Sequence, residues 1–453
     1  MVETPQPAHA ADAEIRRPTW SGILRIRWPL VAWLLVVGGF NLWNFLHYQP
    51  QWGYDGVEHV AAVKHLLSHL AMPTRGYAST NPPAYYAVAA LFLYLSGSLK
   101  VVQFLSLILY SINLALLARL LWQATENPWL RWGLLTLFAL LPPHLAYAYM
   151  VFNYSLSTSL AILSLFLMRS YLSRPEPTLR RIVLVAIVTG VGILTALSNL
   201  FLIPTGICLA ILGAGRLSRR ALAAFLFVAV AASVVAPYAI LHHKTTGCFL
   251  CTGNRIPTRR SVFQVYPREF YYHVSATALE LPFYPHHHRD GLWPILYHTL
   301  FGDYYGYLVP ERLTDATGGG PGLVSTGRHF IDSGRIGQLN ALSRLALPIG
   351  LLFLAATVSL ARKSFCWLRG QRTPLTREAV LSVIAGGAIF CQFLLYIHRY
   401  PNYVNIHSGY LFPGVFLLCA ESARLVRGRL TTAVVATTLA IYCGAAYWTF
   451  ILV

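Results

Sequence analysis

The sequence has few charged residues, and carboxylates are the scarcest kind. Charged residues make up 11% of the 453 positions, and only 16 of them are Asp or Glu. Soluble globular chains average about 25% charged residues. Hydrophobic residues make up 56%, the mean hydropathy is +0.53, and apolar runs recur along the chain. Several of these runs approach the ~20 residues needed to cross a bilayer. The composition therefore excludes a soluble globular protein and predicts an all-α polytopic membrane protein.

The few charges that are present are mostly positive. There are 35 Lys and Arg residues, which gives a formal net charge of +19. No segment resembles a nucleic-acid-binding motif, so we expect no nucleic-acid partner. Cytoplasmic loops of membrane proteins carry excess Lys and Arg, and this rule accounts for the imbalance. An anionic lipid or sugar-phosphate partner is a second contributor.

The chain also lacks the pattern of a cleavable signal peptide. Its first residues are polar, and no small-residue cleavage site follows the apolar run that begins near Pro29. We expect 1–28 to be a cytoplasmic N-terminal segment and 29–453 to form one membrane domain. The predicted location is the inner (plasma) membrane.

The positions of the basic clusters predict the topology. Residues 169–181, 215–220 and 362–378 are basic and are placed inside. The long polar segments 48–99 and 242–337 then fall outside, with about eleven spans in total. The polar residues that could take part in catalysis or ligand binding are therefore expected at the outer face. Whether 83–98 spans the membrane or lies along its surface stays open.

One outer stretch carries two of the rare carboxylates. In "WGYDGVEHVAAVKH", Asp55, Glu58 and His59 are spaced i, i+3 and i+4, which predicts one shared helix face. "NPPAYYAVAALFLYL" follows, and its Pro pair predicts a break before an interfacial helix. The alternative is that both carboxylates only complement a helix dipole.

This stretch resembles the GT-C membrane glycosyltransferases, above all the protein O-mannosyltransferases and the lipid A aminoarabinose transferase. "YDGVEH" and "NPPAYY" match the family's first outer-loop motif. Weaker matches are "ALLPPHLAYAYMVFNYS" (139–155), "LFGDYYGY" (300–307) and "HSGYLFP" (407–413). Two departures are Asn153, where some relatives have an acid, and the absence of the family's Arg before "YLFP".

The resemblance implies a GT-C-like bundle that transfers a sugar, with inversion, from a polyprenyl-phosphate donor to an acceptor outside the membrane. The acceptor class (glycan, lipid or protein) stays open. Asp55 is the expected catalytic base and Glu58 its catalytic neighbour. Other expected substrate contacts are His59, Tyr85, Tyr86, Asn153 and Asp303.

The leaving phosphate needs cationic partners, for which Arg is well suited. The candidates are Arg75, Lys244, Arg255, Arg259, Arg260 and Arg399. The cluster 255–260 is favoured because it lies in an outer loop, where positive charge is uncommon. Each of these side chains is equally compatible with a lipid headgroup contact.

A divalent metal ion stays open as a cofactor, because carboxylate and imidazole suit several metals. Glu58, His59 and the "YPHHHRDGLW" segment (284–293) are the residues considered for it. Cys248 and Cys251 form "CFLC", for which a small disulfide is expected, while redox or metal roles stay open.

Three other functions were weighed against a glycosyltransferase. A lipid or sugar transporter predicts internal repeats and ionisable residues in mid-membrane, and the sequence shows neither. A ligase of the O-antigen type would place its key basic residues in a late outer loop, without an early Asp. A scaffold without catalytic activity is the third.

Overall fold

In the computed structural model, the described residues form helices joined by turns and loops, and they contain no β-strand. These residues are 27–53, 55–73, 81–174, 178–213, 216–247, 249, 266–274, 291–305, 308, 333–399 and 406–451. The predicted all-α class is therefore confirmed. The α-helices, numbered in chain order, are α1 (Arg27–Trp33, continued through a π-helix Leu34–Gly38 into Gly39–His47), α2 (Gly56–His69), α3 (Ala84–Ser96), α4 (Leu99–Ala124), α5 (Pro128–Leu140), α6 (Pro142–Tyr149), α7 (Asn153–Leu172), α8 (Leu179–Ile193), α9 (Leu202–Leu212), α10 (Leu217–Thr246), α11 (Leu292–Phe301), α12 (Ser333–Leu345), α13 (Leu347–Leu368), α14 (Pro374–Arg399), α15 (Phe412–Leu425) and α16 (Arg429–Phe450). Short 3₁₀ turns lie at Leu197–Phe201, Arg268–Tyr271 and Ser408–Leu411.

Seven helical stretches among the described residues are long and apolar enough to cross a bilayer. They are Trp28–His47, Leu99–Ala124, Asn153–Leu172, Leu217–Thr245, Gly337–Leu368, Pro374–Arg399 and Arg429–Phe450. The other predicted spans are built from shorter helices, namely α5 with α6, α8, α9 and α15.

The apolar segment 132–150, one of the eleven predicted spans, consists of two helices rather than one. The break lies at Leu141, whose backbone is extended (ψ 129°), and α6 begins at the Pro142–Pro143 pair. A proline has no N–H to donate and disfavours helical backbone in the residue before it. Helix α5 therefore ends at Leu140, and α6 begins at Pro142 after the single extended residue Leu141.

Residues 137–153 are buried without exception, although their helix is broken. In a membrane interior, carbonyl groups released by such a break need partners from the protein itself. Helix α4 supplies several of them from a line of polar side chains spaced three or four residues apart. This polar stripe consists of Gln103, Ser106, Tyr110 and Asn113.

The stripe binds the carbonyl groups where α6 ends. Gln103 Nε2 donates to the Tyr149 carbonyl at 2.6 Å, and Ser106 Oγ donates to the Met150 carbonyl at 2.9 Å. These contacts hold the irregular segment that leads from α6 to α7 against α4.

The stripe also binds the other end of the break. Tyr110 Oη donates to the Ala139 carbonyl at 2.9 Å. His144 Nδ1 lies 3.0 Å from the Phe138 carbonyl, and Asn113 Nδ2 lies 3.4 Å from His144 Nε2. The break is therefore closed by side-chain hydrogen bonds on both of its sides.

Buried ion pairs join four helix ends that were all predicted to lie inside. Arg169 of α7 and Arg424 of α15 contact Glu378 of α14 at 2.6 and 3.0 Å. Lys363 of α13 contacts Glu421 of α15. These ends therefore share one side of the bundle, as the distribution of basic loops predicted. That this side is the cytoplasmic one stays a prediction.

Replacement of Gln103 should destabilise the bundle. Gln103→Leu keeps the size of the side chain but removes the donor to the Tyr149 carbonyl. A buried carbonyl without a partner costs about 1–3 kcal/mol. We expect a lower thermal unfolding midpoint in detergent, followed by tryptophan fluorescence. Gln123→Leu, at an exposed position of the same helix, is the matched control; equal midpoints for both variants would contradict this role.

The predicted orientation can be tested by labelling cysteines in intact cells. In a background without the native cysteines, Ala61→Cys places a thiol on exposed α2, and Gln371→Cys places one in the exposed turn before α14. We expect a membrane-impermeant maleimide to label position 61 directly and position 371 only after the membrane is opened. The reverse pattern would place the Asp55 region in the cytoplasm.

Candidate active site

Asp55 lies immediately before α2 in an unusual backbone conformation. Its φ and ψ are 51° and 23°, in the left-handed region, which Asp tolerates better than most residues. Its side chain makes no capping hydrogen bond to the first turn of α2. Asp55 is the N-cap residue and Glu58 lies in the first turn of α2, so the alternative in which both carboxylates complement the helix dipole stays open.

Helix α4 fixes the segment that leads to Asp55. Lys100 Nζ donates to the carbonyl groups of Phe45 and Tyr48, each at 2.7 Å. Gln103, which holds α6, also donates to the Tyr48 carbonyl at 3.0 Å. The end of α1 is thereby tied to the start of α4.

Two glycines allow the same segment to pack closely. A Cβ at Gly53, where φ is +98°, would lie 2.5 Å from Met150 Sδ. A Cβ at Gly56 would lie 2.5 Å from the Gln51 carbonyl oxygen. Larger residues at either position would push the Asp55 segment away from its supports.

The common face predicted for Asp55, Glu58 and His59 does not form, and this corrects the sequence-based expectation. Since α2 starts at Gly56, Asp55 lies outside the helix. Asp55 is half-buried, Glu58 is exposed and His59 is 0% exposed. The three side chains therefore occupy different environments.

His59 connects α2 to α3. Its Nδ1 lies 2.7 Å from Tyr86 Oη, which also accepts a hydrogen bond from Asn81 Nδ2 at 2.9 Å. The His59 ring also meets the edge of Phe152, with ring centroids 4.8 Å apart. Burial lowers the pKa of His59 to about 3, so its imidazole is neutral at physiological pH.

Tyr85 and Tyr86 belong to the same packed unit. Both are 0% exposed, and their ring centroids are 5.5 Å apart in an edge-on arrangement. This burial indicates that they join α3 to its neighbours. Their contact with the substrate stays a prediction.

The Asp55 carboxyl has the protonation properties that a general base requires. Burial, and to a smaller extent the nearby charge of Glu58, raise its pKa to about 6. A carboxyl with a pKa close to the working pH can take up and release a proton readily. This combination of partial burial and a left-handed backbone makes Asp55 the strongest catalytic candidate among the described residues.

A cavity lies beside this segment, and we call it the outer cavity. Its volume is about 40 Å³, within a wider opening of about 490 Å³ that includes open solvent. Its lining includes Tyr147, Met150, Phe152, Thr299, Asp303 and His407, together with Tyr304 and Tyr305. Helix α6, the end of α11 and the turn before α15 thus meet around one space.

Asp303 is the carboxylate of the outer cavity. It is 3% exposed, and its Oδ2 accepts a hydrogen bond from the Leu308 backbone N–H at 2.6 Å. Tyr147 Oη is buried and has no hydrogen-bond partner within the described part of the chain. Desolvation lowers the pKa of His407 to about 4, so this ring is neutral. The cavity therefore presents polar groups in a mostly aromatic wall.

The outer cavity and the Asp55 segment share a wall. Met150 lines the cavity and packs on Gly53, while Phe152 lines the cavity and contacts His59. Burial, and secondly the charge of Asp303, raise the pKa of Tyr48. Asp303 and the segment that leads to Asp55 therefore belong to one region of the fold.

The structure describes three of the remaining candidate contacts, Asn153, Lys244 and Arg399. Asn153 is buried at the start of α7, and its Nδ2 donates to the Thr195 carbonyl at 3.3 Å. Lys244 and Arg399 are exposed near the ends of α10 and α14. The other candidates lie outside the described residues: Arg75, Arg255, Arg259, Arg260, Cys248, Cys251 and the histidines of 284–290.

No group of three or more His, Cys, Asp or Glu side chains could hold a metal ion within the described ranges. Glu58 and His59, which were considered as ligands, differ in exposure as described above. The described residues thus do not fit a metal site, and the chemistry below uses none.

Tyr147 and His407 were not singled out by the sequence as functional side chains. A signal for both was present, since they lie in the segments 139–155 and 407–413 that resemble the glycosyltransferases. The sequence did not predict that the two side chains line one cavity, because 260 positions separate them.

No protein-family model and no curated protein matches this chain. Among solved structures, the chain is similar to the crystal structure of the Archaeoglobus fulgidus oligosaccharyltransferase in the apo form. The TM-score is 0.51 and the sequence identity 12%. The match covers 94% of this chain and 56% of that one, so this chain spans about half the length of its structural neighbour. The likeness shows a shared fold.

Proposed function

We propose that this protein is a membrane glycosyltransferase of the GT-C type. It transfers a sugar from a polyprenyl-phosphate donor to an acceptor at the outer face, with inversion. The observation that carries the proposal is the position of Asp55, a half-buried carboxylate with a pKa of about 6 in a segment that packs against the mostly aromatic wall of the outer cavity. The fold shared with an oligosaccharyltransferase supports the reaction class.

Asp55 is the general base in this proposal. The acceptor hydroxyl loses its proton to the carboxylate as its oxygen attacks the anomeric carbon, and the bond to the lipid phosphate breaks. One displacement inverts the anomeric centre. Because hydrogen bonds from Lys100 and Gln103 hold the preceding segment, the carboxylate is kept in position before the substrate arrives.

Charge that develops on the leaving phosphate has to be stabilised by cations. No Lys or Arg is among the described residues lining the outer cavity. We therefore assign this role to the outer-loop arginines predicted from sequence, Arg255, Arg259 and Arg260, with Arg75 and Arg399 as alternatives.

The buried charges favour an enzyme over a transporter. Arg169, Glu378 and Glu421 are buried within helices, but each lies among the first or last five residues of its helix, at the ends that meet at the predicted inner face. There they pair with one another or with neighbouring cations. Transport pathways instead place ionisable residues near the middle of the membrane.

Asp55→Asn should abolish most of the transfer. The amide keeps the shape of the side chain but cannot accept the proton, and loss of a general base typically costs about 10²–10⁴ in rate. Sugar transfer is measured in membranes supplied with a lipid extract as donor source and is normalised to protein level. Glu58→Gln, at the exposed neighbouring carboxylate, is the matched control and should retain most activity. A well-expressed Asp55→Asn variant with near wild-type rate would exclude Asp55 and make Asp303 the next candidate.

The pH dependence of the rate should report the raised pKa of Asp55. The base acts only when ionised, so kcat/KM should fall below about pH 6 and level off above it. In Glu58→Gln one negative charge is lost, ionised Asp55 becomes easier to form, and the acid limb should move to lower pH. An acid limb that stays in place in this variant would contradict the coupling between the two carboxyls.

A further inference from the structure

A second and larger cavity lies away from the outer site, among α1, α4 and α5. We call it the inner groove; it contains about 1770 Å³ of unfilled space. Its apolar lining includes Leu30, Leu34, Leu42, Leu107, Leu114 and Leu135. Since α1 is predicted to run outward from the basic N-terminal segment, the residues near Leu30 are at the inner face.

On the side of the groove formed by α1, no side chain covers the backbone at Gly38. Residues Leu34–Gly38 form a π-helix, a distortion that is often found at functional sites. A Cβ at Gly38, which lines the groove, would meet no atom within 4 Å. Asn41 Nδ2 donates to the Val37 carbonyl at 2.7 Å and so binds a carbonyl of the widened turn. The open space is therefore built into the backbone of α1.

The groove has the length of one membrane leaflet. The lining of α1 extends from Leu30 to Leu42, which is twelve residues or roughly 18 Å at 1.5 Å per residue. One leaflet of the hydrocarbon core is about 15 Å thick, half of the whole. A single extended acyl chain fits this length.

The inner end of the groove carries the groups that suit a lipid headgroup. Arg119 lines it and is exposed, five residues before the end of α4. Trp33, Trp122 and Trp132 form the wall nearby, with Trp33 and Trp132 ring centroids 6.0 Å apart. Tryptophan is enriched at the headgroup level of membranes, and guanidinium groups bind phosphate well.

We propose that the inner groove binds an anionic phospholipid of the inner leaflet, with one acyl chain along α1 and the phosphate at Arg119. The apolar lining, the bare Gly38 wall and the single exposed cation at the inner end carry this assignment. The site is distinct from the outer cavity and does not depend on the proposed function.

The test measures how much phosphatidylglycerol the purified full-length protein retains, and how tightly, by mass spectrometry of the intact complex in detergent. Gly38→Leu fills the groove and should weaken binding at least tenfold. Gly39→Leu is the matched control, since a Cβ there also meets no atom within 4 Å but Gly39 does not line the groove. Ala115→Phe, at an exposed position of the groove on α4, repeats the blockage from the opposite wall if Gly38→Leu folds poorly.

The headgroup is tested with Arg119→Gln, which should weaken the binding of anionic phosphatidylglycerol more than that of zwitterionic phosphatidylcholine. Arg180→Gln, an exposed arginine of another predicted inner end, is its control. The proposal is overturned if both groove-filling variants retain phosphatidylglycerol as the wild type does. It is also overturned if Arg119→Gln binds both lipids like the wild type, or if undecaprenyl phosphate displaces the bound lipid, which would make the donor carrier the occupant.

Discussion

The buried backbone around the Pro142–Pro143 break must find its hydrogen-bond partners inside the protein, and much of the outer half of the fold is arranged around this requirement. A continuous helix satisfies its own carbonyl groups, but a broken one does not. The polar stripe of α4 supplies the missing hydrogen-bond partners, because its members are spaced so that they all face the break. In this mainly apolar helix, the side chains of the polar stripe serve as hydrogen-bond partners for the broken segment.

The same stripe links the stability of the bundle to its candidate site. Gln103 donates both to the Tyr149 carbonyl at the end of α6 and to the carbonyl of Tyr48, the residue that directly follows the end of α1 at His47. Met150, held through Ser106, is also the residue on which Gly53 packs. The position of Asp55 is therefore set by the hydrogen bonds that close the helix break, because one helix supports both.

Charge is distributed differently at the two ends of the bundle. At the predicted inner end, carboxylates are buried against Arg and Lys and tie helices together. At the predicted outer end, Asp55 is half-buried, and this burial together with the nearby charge of Glu58 raises its pKa to about 6. Since the chain has so few acids, this contrast separates carboxylates that stabilise the fold from one that is available for proton transfer.

The sequence by itself determined the all-helical membrane class and the common side of the basic helix ends, because hydropathy and charge act locally along the chain. It did not reveal that Asp55 precedes the helix, since a left-handed residue depends on the close packing of Gly53 and Gly56. It likewise did not reveal that Tyr85 and Tyr86 are fully buried. Only the tertiary structure brought Tyr147, Asp303 and His407 around one cavity, because contacts between residues so distant in sequence are fixed by how the helices pack.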